Sequence, residues 1–151
     1  MTPIMKPEEA LKQVSLFEGL SNHHIKILAK SCTEREFEKD EYLVRQGNPG
    51  IGLFIITSGQ VRVDKTTEGG KELTLATHRA GEVIGEMAVI DGAPRTASVI
   101  AEEPTSCLVL PSWAFNTFLE EHPKVALHIL PVVVRRFRET NEALVGLKHG
   151  V

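Results

Sequence analysis

The residues whose types and spacing could do chemistry sit in one stretch, Gly85-Glu86-Met87-Ala88 followed by Pro94-Arg95-Thr96-Ala97. Glu86 to Ile90 supplies about one helical turn of largely apolar residues, and a Gly92-Ala93-Pro94 turn follows. A short helix set between strands leaves its first backbone N–H groups without a partner in the helix, and such donors seat an anion. Gly85, directly before that turn, lets a ligand approach the backbone. Arg95 is positioned by the rigid Pro94, and its planar fork of donors can hold two phosphate oxygens at once. Glu86 would repel a phosphate unless it turned away, where it can accept a hydrogen bond from a sugar hydroxyl. Arginine for phosphate and glutamate for hydroxyl specify a sugar phosphate. The plain alternative is a Glu86–Arg95 salt bridge on a sheet edge.

These residues interrupt a β-rich region running from Thr33 to Pro111. Short β-prone runs recur at Glu36–Glu38, Tyr42–Val44, Leu53–Thr57, Gln60–Val63, Leu73–Ala76, Ala97–Ile100 and Cys107–Leu110. Glycine-containing turns separate most of them, among them Gly47-Asn48-Pro49-Gly50, Ser58-Gly59, Glu68-Gly69-Gly70 and Ala80-Gly81. Seven or eight strands spaced so closely predict an antiparallel sandwich or jelly roll.

Helical patterning flanks the region on both sides. Glu8 to Val14 is short and amphipathic, and Ser21 is placed to cap His23–Lys30, whose Ile25, Leu28 and Ala29 share one face. His23 and His24 are neighbours that point about 100° apart on a helix, so they read as solvated surface and not as a metal pair. After Pro111, Ser112 is placed to cap Trp113–Glu121, and a long helix is predicted from about Pro123 to Leu147. Its Leu130, Val133, Phe137, Thr140, Leu144 and Leu147 form a heptad seam with one polar member. Arg135, Arg136, Arg138, Glu139 and Glu142 flank the seam, which points to pairing with a second subunit; packing on the chain's own barrel is the alternative. Pro131 is expected to bend or break this helix.

Composition bounds the partners. A chain of 151 residues is enough for one compact domain with a real core. Seventeen Lys and Arg stand against twenty Asp and Glu, a net charge of −3, so any anion must be held by a local arrangement and not by the overall field. Cys32 and Cys107 match no metal or disulfide spacing and read as reduced thiols. The first residues carry no signal-peptide pattern and no stretch approaches a membrane span; a cytoplasmic location without membrane contact is expected. A cupin-like metal enzyme would need histidines converging from strands, yet of the six histidines only His78 lies in the β region and no His-x-His occurs. Neither a metal nor a catalytic residue is expected, and the chain reads as a binding module.

The string Gly85-Glu86-Met87-Ala88 with Pro94-Arg95-Thr96-Ala97 resembles the phosphate-binding cassette of cyclic nucleotide-binding domains. That family includes bacterial catabolite activator proteins, regulatory subunits of protein kinase A and cyclic-nucleotide-gated channels. The resemblance extends over nearly the whole chain. It implies a mainly β fold with flanking helices (α+β), an eight-stranded antiparallel β-roll or jelly roll with a short phosphate-binding helix. It also implies one domain over 1–151, with N-terminal helices in 1–32, the roll in 33–111, the cassette at 84–97 and C-terminal helices in 112–151.

The implied ligand is a 3′,5′-cyclic nucleotide, cAMP or cGMP. Glu86 would take the ribose 2′-hydroxyl and Arg95 the cyclic phosphate. The ligand-binding set would be Ile84, Gly85, Glu86, Met87, Ala88, Arg95, Thr96 and Ala97, with backbone N–H groups contributing. Thr96 is either a selectivity residue or a β-former opening the next strand. Thr140 and Asn141 lie where the catabolite-activator branch carries a Thr-Ser pair that meets adenine, partly across a dimer, and this inclines the reading to cAMP; a plain pair on the helix surface is the alternative. A homodimer through the C-terminal helix and an effector protein of unknown kind are the implied partners. Regulators of the family continue into a helix-turn-helix domain; this sequence stops at Val151, so no nucleic-acid contact through this chain is expected. A degenerate, ligand-free docking domain is the remaining alternative.

Overall fold

The computed structural model describes residues 5–148, and side-chain surroundings as far as Val145. Eight antiparallel strands form two four-stranded sheets. They are β1 (Thr33–Phe37), β2 (Tyr42–Val44), β3 (Gly52–Ser58), β4 (Gln60–Thr66), β5 (Glu72–Arg79), β6 (Val83–Ile84), β7 (Ser98–Ala101) and β8 (Thr105–Pro111). One sheet has the order β1-β8-β3-β6 and the other β2-β7-β4-β5. The helices are α1 (Pro7–Leu11), α2 (Asn22–Ala29), α3 (Ala88–Asp91), α4 (Ser112–Glu121) and α5 (Ala126–Lys148), with 3₁₀ turns at Ser15–Phe17 and Pro123–Val125. The jelly-roll expectation is met.

The unbroken apolar runs of β3 and β8 have a simple cause: both strands separate two cores. Phe54, Ile56, Cys107 and Val109 point into the roll and join Phe37, Leu43, Val61 and Val99. Leu53, Ile55, Leu108 and Leu110 point the other way and join Leu11, Leu16, Leu28, Phe115, Phe118, Ile129 and Val132 of the helical layer. Successive strand residues face opposite sides, so a strand covered on both faces must be apolar throughout. β5 is the contrary case, an edge strand with mostly exposed residues.

Several local expectations change. β6 is only two residues long and is recognisable by its pairing, Phe54 opposite Ile84 and Ile55 opposite Val83. The first helix ends at Leu11 and not at Val14, and a 3₁₀ turn follows at Ser15–Phe17. Ser21 caps α2 as expected, its Oγ accepting from His24 N at 3.2 Å. His24 is not simply solvated. Its ring lies 5.2 Å from that of His122 and 5.7 Å from that of Phe118, and burial together with His122, His23 and His128 lowers its pKa.

Ser112 does not cap α4; Pro111 stands at that position. The Ser112 hydroxyl lies 3.2 Å from both Gly50 O and Ala88 O, tying the start of β3 to the cassette helix. Nor does Pro131 break α5, which runs through it. One backbone donor is lost, but the buried Ile129 and Val132 on either side anchor the helix to the core. The heptad seam faces away from that core. Leu130, Phe137 and Leu144 are 60%, 65% and 59% exposed, and only Val133 of the seam packs inward. The side chain of Leu147 lies outside the described residues.

Candidate ligand site

β6 ends at Ile84 and the chain turns at Gly85 with φ +74°, a left-handed conformation that glycine adopts without penalty. A Cβ built there would lie 1.9 Å from Arg95 Nη1. The space that the sequence reading allots to an approaching ligand is therefore taken by the guanidinium. After Gly85 the chain enters α3, four residues whose N-cap, Met87, offers no side-chain acceptor and which Gly92 closes in the left-handed region. The helix starts two residues later than predicted, with Glu86 outside it.

Arg95 is 8% exposed. Its backbone is held by more than Pro94: the Arg95 N–H donates to Asn48 O and the Arg95 carbonyl accepts from Gly47 N, both at 2.8 Å. Nη2 donates to the carbonyl of Gly52, while Nε is buried with no partner. Burial lowers the pKa of the group, because desolvation disfavours the charged form. A buried cation paired, among the described residues, only with a neutral carbonyl is an electrostatic imbalance that an anion would correct.

Glu86 faces away from Arg95, and the Glu86–Arg95 salt bridge does not form. Oε1 accepts from Ser15 Oγ at 2.8 Å and from Leu16 N at 2.6 Å. Oε2 lies 2.7 Å from Arg136 Nη1 on α5, close enough to pair but outside hydrogen-bonding alignment, since that nitrogen has no hydrogen-bond partner. Glu86 thus joins three elements, the 3₁₀ turn at Ser15, the cassette and α5.

A cavity of about 240 Å³ opens beside this turn, and Ile84, Gly85, Arg95, Thr96 and Ala97 of the expected set line it together with His78. Thr96 is exposed and precedes β7, which starts at Ser98. Glu86 lines a neighbouring hollow of about 340 Å³, shared with Ser15, His78 and Glu82. Met87 and Ala88 border neither. Thr140 and Asn141 are exposed on α5, and the Thr140 hydroxyl donates to Arg136 O one turn back at 3.0 Å. Within one chain they do not reach the cavity.

Sequence reasoning missed Ser15, Gly52, His78 and Arg136. Arg136 stood among the charges flanking the seam, yet the buried stripe Val125, Ile129, Val132 continues at helical spacing to position 136. That periodicity was the available signal. Ser15 and Gly52 carry no local signal, since their partners come from the tertiary fold.

Residues 34–122 match the cyclic nucleotide-binding domain model, and the chain belongs to that family. Among solved structures, the N-terminal domain of a transcriptional regulator from Streptomyces coelicolor A3(2) is 33% identical. It superimposes with a TM-score of 0.79, covering 89% of this chain and 96% of that one. Among curated proteins, the cyclic AMP receptor protein of Thermus thermophilus is 32% identical over 131 residues, 87% of this chain and 61% of the relative. Human cGMP-dependent protein kinase 2 is 38% identical over 110 residues, 70% of this chain and 14% of the kinase. The chain spans less than two thirds of the length of these curated relatives. Among the described residues no helix is long and apolar enough to cross a membrane.

Proposed function

We propose that this chain is a cytoplasmic sensor that binds a 3′,5′-cyclic nucleotide, cAMP in preference to cGMP, and transmits occupancy through α5 without turning the ligand over. The observation that carries the reading is Arg95, a guanidinium 8% exposed, paired with no carboxylate among the described residues and bordering a cavity. In this reading Arg95 takes the cyclic phosphate, with backbone N–H groups of Gly85, Thr96 and Ala97 beside it and Ile84 lining the same cavity. A charge-assisted hydrogen bond contributes about 1.5–3 kcal/mol. Two of these with backbone donors and stacking reach the roughly 8 kcal/mol of micromolar affinity.

Glu86 takes the ribose 2′-hydroxyl, and to do so it must give up contacts. Because one carboxylate holds Ser15, Leu16 and Arg136 together, a sugar hydroxyl on Glu86 loosens the grip on α5 and on the N-terminal turn. The exposed seam then serves as the surface whose pairing changes, in a homodimer through α5 or against an effector protein. At about 240 Å³ the cavity is small for enclosing a whole ligand, which leaves the outer face of the base to be covered by Thr140 and Asn141 of a second copy. The preference for cAMP rests on that pair and on the Thermus relative, described as a cyclic AMP receptor; no nucleic-acid contact through this chain is part of the reading.

Thermal unfolding and titration calorimetry with cAMP and with cGMP test it. A rise in Tm with both and tighter binding of cAMP are expected. No shift with either at millimolar concentration overturns the reading and leaves a ligand-free docking domain.

A further inference from the structure

His78 on β5 lines both the cassette cavity and the hollow beneath Glu86. The cavity is two-sided in character. Its polar side chains beside Gly85 are Arg95 and Thr96, whereas Val44, Val63, Val83 and Val99 make an apolar wall suited to a planar base, and His78 is the polar side chain of that wall. Its ring is held in place: Nδ1 lies 3.0 Å from Glu82 Oε2, and the same oxygen accepts from Arg79 N at 2.8 Å.

Those contacts settle the tautomer. The Arg79 backbone N–H and the His78 ring both favour the ionised form of Glu82 and lower its pKa. An ionised carboxylate only accepts, so a neutral ring carries its proton on Nδ1 and leaves Nε2 with its lone pair. The charged groups nearby are Glu82 and Arg79 on the β5–β6 side, Arg95 across the cavity and Glu86 in the adjoining hollow.

The geometry points to His78 as a residue that reads the base of the bound nucleotide, its Nε2 accepting from an exocyclic amino group while Glu82 holds the acceptor tautomer. This rests on the cyclic-nucleotide reading above and deepens it, since it names a contact for a 6-amino purine within the chain's own cavity. A 6-oxo purine presents an acceptor at the same place and meets Nε2 lone pair to lone pair.

Titration calorimetry of the wild type, His78→Leu and Glu82→Leu with cAMP and with cyclic inosine monophosphate, which differ at position 6, tests the assignment. The wild type is expected to prefer cAMP about tenfold, the value of one hydrogen bond to a group otherwise left unpaired. In H78L the ratio falls to within about twofold of one. In E82L the Nδ1 proton loses its acceptor and the ring is no longer held with Nε2 as the acceptor, so the ratio falls while the fold, followed by thermal unfolding, is kept. Wild-type binding without discrimination, or an unchanged ratio in both variants, overturns the assignment of His78 and leaves the cyclic-nucleotide reading standing. Absence of binding of either nucleotide to the wild type overturns that reading, and this assignment with it.

Discussion

Replacing Gly85 by alanine probes the seat of Arg95 directly. The new Cβ would lie 1.9 Å from Nη1 and 2.7 Å from Cζ and Nη2, far inside any tolerable contact, so the guanidinium must leave its niche. Two costs follow. Holding alanine at φ +74° costs about 1–2 kcal/mol. Losing the charged hydrogen bond from Arg95 to Gly52 O costs about 1.5–3 kcal/mol more. The sum, about 2.5–5 kcal/mol, corresponds to a fall in Tm of roughly 5–20 °C for a chain of this size. Calorimetric unfolding of G85A, R95A and the double variant separates the two costs. With Arg95 already truncated the Cβ has no guanidinium to displace, so the double variant should be less destabilised than the two singles summed, by about 1.5–3 kcal/mol. Additive losses, or a Tm for G85A within 3 °C of wild type, would refute the claim that the guanidinium and the glycine share one space.

Four other outcomes follow from the geometry. Arg95→Leu should weaken cyclic-nucleotide binding by about 2–5 kcal/mol, read by titration calorimetry; unchanged affinity removes the phosphate assignment. Ser15→Ala takes away one competitor for Glu86 Oε1, so affinity should rise about threefold, and a fall would count against competition between Ser15 and the ligand. Asp64 is buried, accepts from Arg62 Nε at 2.9 Å and Thr74 Oγ1 at 2.8 Å, and its pKa is lowered, chiefly by Arg62. Its contribution is therefore present above the unfolded carboxylate pKa of about 4 and is lost as pH falls through the lower folded value. Tm of the wild type should drop more steeply than that of Asp64→Asn on acidification from pH 5, and parallel curves would remove Asp64 as the cause. Phe137→Glu should abolish self-association through the seam in sedimentation velocity, leaving the fold intact because Phe137 is 65% exposed; an unchanged sedimentation coefficient would place any dimer contact elsewhere.

Much of the architecture could be read from the chain because it is written in short-range patterns. β3 and β8 show themselves as apolar runs between turns, Ser21 shows itself as a cap three residues ahead of its partner N–H, and the long α5 through its repeat. Failures occurred where local preference met a tertiary competitor. Ser112 had the chemistry of a cap, but two carbonyls from distant segments claimed its hydroxyl. Pro131 had the chemistry of a breaker, but burial of its neighbours outweighed the one lost hydrogen bond.

The site divides in the same way. Glu86 and Arg95 are nine positions apart in one string, so residue type and spacing alone identify an anion and a hydroxyl partner, whatever surrounds them. What each side chain does before any ligand arrives depends on groups brought from far along the chain, Ser15 and Leu16 some seventy positions before Glu86, Arg136 after it, and Gly52 before Arg95. No periodicity encodes such pairings. They arise only when the two cores pack and set the strands, the cassette and α5 side by side, which is why the chemistry was legible in the residues and its restraint only in the fold.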